Sequence, residues 1–384
     1  MLRKDPDPAF PFAKEEGDVR RAGWRAGPVS AKVPRLGAVR RRDRARHLEA
    51  MKPGMKIGFA SLIGVEPMPF ADLLTWSAAN GLEAIEVNTG SNFPVIGAVD
   101  FPGHLDLAKI AKEGPGETLD LAAAANVELS SLAPMINLLS ADLVKREARI
   151  KEFTIAIDAA VRLKIDTVVT FTGSSFGMSF YGLPGVGDGH SSNHVGDNLR
   201  IFKEVYGPMA DYAGERGVRI AFETAGRGGP EGNLAHSPEL WDAMFDAVPS
   251  KALGLSFDPS HLVWLGIPNV SDVIREFGSR IYHFDGKDTE ILRTRLGRQG
   301  ILGSAWWRYR LPGLGELDWK SIFSALRDVG YDGIIAIENE DPLCPGANGV
   351  KWAADFLKTQ LLPPVASAQD AKSDQGLGLL LGKK

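Results

Sequence analysis

A regular beat runs through this chain. A short apolar run is followed by a helical stretch, eight times over between Met55 and Leu362. The runs fall at 55–61, 84–87, 127–132, 167–171, 218–223, 253–258, 280–285 and 333–338. The helical stretches fall at 70–80, 117–126, 141–163, 195–216, 238–247, 270–278, 319–329 and 349–361, the first stopped by Gly81. Strictly alternating strand–helix units predict a parallel sheet, and eight of them predict a closed (β/α)8 barrel. The rival is an open doubly wound sheet. No Gly-x-Gly-x-x-Gly follows the first strand, which speaks against it.

The two ends read differently. Residues 1–50 scatter Arg20, Arg21, Arg25, Arg40, Arg41, Arg42, Arg44 and Arg46 among Pro, Gly and Asp with little apolar periodicity. They are expected to form a disordered extension. Asp5, Asp7, Glu15, Glu16 and Asp18 are wrong for a transit peptide, and Met51 and Met55 are alternative starts. Residues 363–384 read as a disordered tail, which leaves 55–362 as the barrel domain. The net charge of -4 argues against a nucleic-acid partner. The single cysteine, Cys344, excludes an internal disulfide and fits a reducing, cytoplasmic setting. No apolar stretch approaches the roughly 20 residues that span a bilayer.

In barrels of this kind, chemistry sits at the C-terminal ends of the strands. Four runs end there in a carboxylate: Ile220-Ala-Phe-Glu223, Gly254-Leu-Ser-Phe-Asp258, Arg280-Ile-Tyr-His-Phe-Asp285 and Ile334-Ile-Ala-Ile-Glu338. Alternation along the third of these puts His283, Asp285 and Lys287 on one face, and Tyr282 and Phe284 on the other. Four like charges around one mouth repel and need a cation. Oxygen donors suit Mg²⁺ or Mn²⁺ better than Zn²⁺. The plainer alternative is that each carboxylate caps the next helix or pairs with Arg or Lys. Asp258-Pro-Ser-His261 adds an imidazole one turn past a strand end, where it can face the same mouth.

The run Gly254-Leu-Ser-Phe-Asp-Pro-Ser-His-Leu-Val-Trp264 resembles the sixth-strand signature of the sugar phosphate isomerase/epimerase family, the xylose isomerase-like TIM barrels. Val218-Arg-Ile-Ala-Phe-Glu223, Trp306-Trp-Arg-Tyr-Arg-Leu-Pro-Gly-Leu-Gly-Glu316 and Ile334-Ile-Ala-Ile-Glu-Asn-Glu-Asp-Pro342 match it as well. The resemblance implies a divalent metal on Glu223, Asp258, position 285 and Glu338. The family pattern at the seventh strand is His-x-His-x-Lys-Asp, whereas this chain has His283-Phe-Asp285-Gly-Lys287-Asp288. Either Asp285 takes the metal as a fourth carboxylate, or His283 reaches it from one step lower.

The implied chemistry is isomerisation or epimerisation of a sugar or sugar phosphate through a metal-stabilised enediolate. Glu223 and Glu338 form the acid–base pair, with His261 helping to orient the substrate or move the proton. Glu86, His283, Lys287, Arg308 and Arg310 are further candidates for holding the substrate, the two arginines beside aromatics. The Gly182–His194 loop, with His190 and His194, could be a lid. A keto-sugar or inosose dehydratase would use the same site. A non-catalytic sugar-binding barrel and an endonuclease-four-like hydrolase are the other readings. For the last, only seven histidines are present. A homo-oligomer is common for such barrels, but no interface motif stands out.

Overall fold

The computed structural model describes residues 54–61, 68–89, 103–175, 194–226 and 232–361. The segments 1–50 and 363–384 lie outside these, as does the candidate lid up to residue 193, His190 included. The strands are β1 (Lys56–Ala60), β2 (Ala84–Asn88), β3 (Glu128–Ala133), β4 (Thr167–Thr170), β5 (Arg219–Glu223), β6 (Leu253–Phe257), β7 (Ile281–Gly286), β8 (Asp288–Ile291), β9 (Trp307–Arg310) and β10 (Ile334–Ile337). β1 to β7 and β10 close into a parallel barrel. The ring shuts where Ile335 of β10 pairs with Ile57 of β1. β8 and β9 form a separate antiparallel pair inserted after the seventh ring strand.

Ring strands are covered on both faces, so β2, β4 and β6 are buried throughout. Outside the ring, Phe257 and Phe284 stack at 5.5 Å, and Trp241 from the helix Pro238–Ala247 meets Phe257 edge-on. The long helix Leu143–Leu163 starts where the Asp142 carboxylate accepts bonds from the backbone N–H groups of Val144 and Lys145. It ends at Lys164 in the left-handed conformation. No described helix is long and apolar enough to cross a membrane.

Two local features depart from the sequence reading. First, alternation breaks at Tyr282. Leu255 pairs with Ile281 and Ser256 with His283, so Tyr282 is the extra residue of a β-bulge. The simple opposition of Tyr282 and His283 across the strand is therefore lost. The Tyr282 ring packs against Gly254 and the small cluster Ala133, Val169 and Ala221. A β-carbon at position 254 would lie 2.4 Å from the Arg280 carbonyl and 2.3 Å from this ring, so only glycine fits. Second, the alternation drawn through to Lys287 overruns the seventh strand. Read at 280–285, that strand spans Ile281–Gly286, and Asp288 opens β8. The buried Asp288 carboxylate accepts bonds from the backbone N–H groups of Thr289, Gly313 and Leu317 and from the Trp319 indole. It pins the inserted pair to the ring.

Candidate active site

The expected side chains gather at the C-terminal mouth. Glu223 ends β5, Asp258 follows β6, Asp285 lies near the end of β7, Lys287 follows it, and Glu338 follows β10. All five are buried.

Asp258 has two tasks, one per oxygen. Its Oδ1 caps the short helix Pro259–Trp264 by accepting the Ser260 N–H at 2.8 Å. The capping role envisaged as an alternative is therefore real, but it uses only half of the carboxylate. Oδ2 faces the mouth, 3.0 Å from His261 Nε2 and 2.8 Å from Lys287 Nζ. The cap positions His261 on the first turn, and its Nε2 also lies 3.6 Å from Glu223 Oε1. Tyr309 OH meets the other ring nitrogen, Nδ1, at 3.1 Å.

Lys287 collects three carboxylates. Its ammonium lies 2.8 Å from Asp258, 2.5 Å from Glu338 and 2.9 Å from Glu340, and 4.6 Å from the centre of the Tyr309 ring. His283 performs a similar service deeper in the ring. Its Nε2 lies 3.1 Å from Glu86, and its Nδ1 lies 3.4 Å from Asp285 and 3.0 Å from Ser256 Oγ. The Ser256 hydroxyl donates its one proton to Asp285 at 3.0 Å, so it accepts the proton of His283 Nδ1. Ser131 donates to Glu86 at 3.1 Å.

The electrostatics follow from burial and neighbours. Burial pushes Glu223 well above the usual carboxylate range, and Asp285, Glu338 and Asp258 add repulsion. Burial and the surrounding carboxylates raise Glu338 too, although Lys287 pulls it back. Burial also opposes charge on Asp258, but Lys287 and His261 outweigh it and hold the acid well below its ordinary value. Burial raises Glu86 to about 7 against the pull of His283. His283 itself reaches about 9, because Glu86 and Asp285 overcome the cost of its own burial. Burial disfavours the Lys287 ammonium as well, but Asp258, Glu338 and Glu340 keep it protonated.

The expected residues thus divide into two groups. Glu223, Asp258 and His261 form one, and Glu86, His283 and Asp285 form the other; each offers three donor atoms within 4.8 Å of one another. Glu338 joins the first group through Lys287. Such spacing suits one divalent ion at about 2.0–2.6 Å from each donor. The Glu–Asp–His set fits Mg²⁺ or Mn²⁺, and its imidazole also admits Zn²⁺. Arg308 and Arg310 are engaged elsewhere: both bond Glu290, and Arg310 also bonds Asp341. Tyr309, between them, is the residue of β9 that reaches His261. Alternation along β9 holds that signal, since the two arginines share one face and Tyr309 takes the other. Ser256 is readable as the inward neighbour of Asp258, two residues back. Ser131 is not, because its contact with Glu86 follows a register shift between β2 and β3. Glu340 lies beyond β10, where no period applies.

Known proteins resemble this chain in the same terms. An uncharacterized protein of Bacillus subtilis, YfiH, is 33% identical over 135 residues, 33% of this chain and 42% of that protein. An inosose dehydratase of Clostridium perfringens is 28% identical over 165 residues, 41% of this chain and 52% of that protein. The chain therefore spans about half the length of the curated relatives it matches. Among solved structures, IolI with a bound zinc atom superposes with a TM-score of 0.56 at 18% identity, over 80% of this chain and 96% of that one. L-ribulose 3-epimerase gives 0.55 at 17% identity, over 86% and 100%. At these identities the two structures speak for the fold alone. A family model for xylose isomerase-like TIM barrels matches residues 74–360, all of the ring except β1, and the chain belongs to that family.

Proposed function

We propose that the protein is a divalent-metal-dependent isomerase or epimerase of sugars or sugar phosphates that removes a proton from the carbon beside a carbonyl. One observation carries this reading. Glu223 and Glu338 are both buried, both raised in pKa, and three strands apart around one mouth. Two such carboxylates can flank a small substrate, one taking a proton and the other returning one. Lys287 stands against Glu338 in the metal-free protein.

Glu223, Asp258 and Glu338 would hold the cation, with His261 or Asp285 as the fourth donor. His261 already lies with the first two, while Asp285 is held by Ser256 and His283. A bound Mn²⁺ or Mg²⁺ would supply the positive charge that a carbonyl oxygen needs as the proton leaves. His261, fixed by Tyr309 through Nδ1, offers Nε2 to the cation or, where Asp285 is the fourth donor, to a substrate hydroxyl. Glu86, His283 and Lys287 supply polar contacts along the inner wall, and Arg308 and Arg310 back the aromatic side. The named activity of one relative, an inosose dehydratase, agrees with carbohydrate chemistry.

Dehydration is the second reading, favoured by the inosose dehydratase match. It begins with the same proton abstraction, after which a hydroxyl leaves the neighbouring carbon as water. The test for both is incubation of the Mn²⁺-loaded protein in D₂O with pooled keto-sugars, sugar phosphates and keto-inositols. Metal-dependent deuterium at carbon is expected. Its position separates epimerase from isomerase, and a product lighter by one water identifies the dehydratase. No exchange and no loss of water with any substrate, despite bound metal, would refute the proposal.

A further inference from the structure

Asp258 cannot serve every partner it faces. Its Oδ1 is committed to the Ser260 N–H, which leaves Oδ2 as the oxygen available to the mouth. Lys287 Nζ lies 2.8 Å from that oxygen and 2.5 Å from Glu338 Oε2. These are two of the carboxylates assigned above to the cation. A divalent ion on the same oxygen at about 2.0–2.6 Å would stand within roughly 5 Å of the ammonium. Two buried like charges at that range repel strongly.

We propose that Lys287 is a resident cation which occupies Asp258 and Glu338 in the metal-free protein and is displaced onto Glu340 when a divalent ion binds. The inference rests on the cation assignment under Proposed function and gives Lys287 a role beyond holding substrate. Four features suit the residue to it. Its four-carbon stem lets the ammonium move without moving β7. Glu340 already holds the ammonium at 2.9 Å, and this carboxylate side chain is 26% exposed at the rim, whereas Asp258 is sealed. The Tyr309 ring, 4.6 Å away, offers a second surface that tolerates a cation. The Asp258 Oδ2 contacts are also ion pairs without aligned hydrogen bonds, so the ammonium gives up little directional bonding there. The arrangement keeps a cluster of buried carboxylates neutralised before metal arrives.

The test is calorimetric titration of chelator-stripped protein with Mn²⁺ alone. It needs no substrate, so a failed exchange assay and a failed displacement are told apart. Wild type, Lys287→Met, Glu340→Gln and the double variant are compared. Lys287→Met is expected to bind Mn²⁺ about tenfold more tightly or better, since a charge neighbour shifts such equilibria by roughly 1–3 logarithmic units. Glu340→Gln is expected to weaken binding in the wild-type background and to matter much less once Lys287 is gone. If Lys287→Met does not fold, Lys287→Gln takes its place in the cycle. Crystals of the wild type grown with Mn²⁺ give an independent reading, in which Nζ has left Asp258 and Glu338 and kept Glu340. Equal or weaker binding by the lysine variant, an identical Glu340→Gln effect in both backgrounds, or Lys287 still on both carboxylates beside the metal would overturn the proposal.

Discussion

Two carboxylate clusters share one barrel mouth and are neutralised by different means. On the Asp258–Glu338 side the counter-charge is the Lys287 ammonium, a point charge on a flexible stem with a third partner at the rim. On the Glu86–Asp285 side it is the His283 imidazole, with a serine on each flank: Ser256 on the ring nitrogen and Ser131 on the glutamate. A lysine tail can swing away from its partners. An imidazole is a short, rigid ring on the strand itself, and it cannot move away without losing the Ser256 bond on Nδ1 and the ion pair with Glu86. The first side is therefore suited to exchange one cation for another and to handle protons. The second is suited to hold its proton and shape the wall.

That contrast can be broken by experiment, and the largest effect comes first. Glu338→Gln should lower carbon–deuterium exchange by about 10²–10⁴-fold, the usual worth of a positioned acid or base. Glu86→Gln should lower it far less. Equal losses, read by mass spectrometry of the same substrate, would erase the distinction between the sides.

The second effect concerns stability of the metal-free protein. His283 has its pKa raised from 6.5 to about 9, so the folded state holds a proton that the unfolded chain releases. That stabilisation is complete below about pH 6.5 and is lost as pH rises through 9. Burial raises Glu86 to about 7, and its contribution likewise falls as pH rises from about 4.5 through 7. Urea unfolding near pH 6 and again near pH 9.5 should show a loss of about 3 kcal/mol from His283. In the double variant His283→Gln/Glu86→Gln, which also removes the carboxylate that His283 holds down, that loss should largely vanish. A variant as pH-sensitive as the wild type would show that the proton is held elsewhere.

A third measurement sharpens the choice of fourth donor. His261→Gln should weaken Mn²⁺ binding about tenfold more than Asp285→Asn, since coordinating groups carry such factors. The reverse order would place the cation on the His283 side. The smallest effect is that of Tyr309→Phe, which removes one hydrogen bond to His261 and should cost about 1 kcal/mol of transition-state stabilisation. It should emerge as a modest fall in turnover, with a loss of Mn²⁺ affinity smaller than that of His261→Gln.

Much of this molecule is legible in the order of its residues. The ring can be read because each strand–helix unit is a local pattern, and the number of units decides closure. Glu223, Asp258, Asp285 and Glu338 can be placed at the mouth because a strand end needs only the boundary of an apolar run. The contacts of Asp285 with Ser256 and His283 cannot be read that way, since they depend on how β6 and β7 pair. The seventh-strand segment is legible only in part. Its polar inward residues follow from alternation, but the bulge at Tyr282 does not, because it depends on the fit of that ring over Gly254 on a neighbouring strand. The arginines of β9 stand out in the sequence as charges beside aromatics. Glu290 and Asp341, about 20 to 30 residues away along the chain, claim both.

The order of residues by itself determined the barrel, the end of it that carries the chemistry, and the residues that crowd there. Only the tertiary structure decided which cation answers which carboxylate. Lys287 and His283 are four residues apart in one segment, and nothing local assigns Glu338 to one and Glu86 to the other. Glu338 follows β10, the ring neighbour of β7, whereas Glu86 lies on β2, beyond β10 and β1. The pairing therefore rests on distances across a closed sheet. In a buried mouth, charge interactions rise steeply over the last few ångströms, and there the closure of the ring, not the chain's local pattern, sets the outcome.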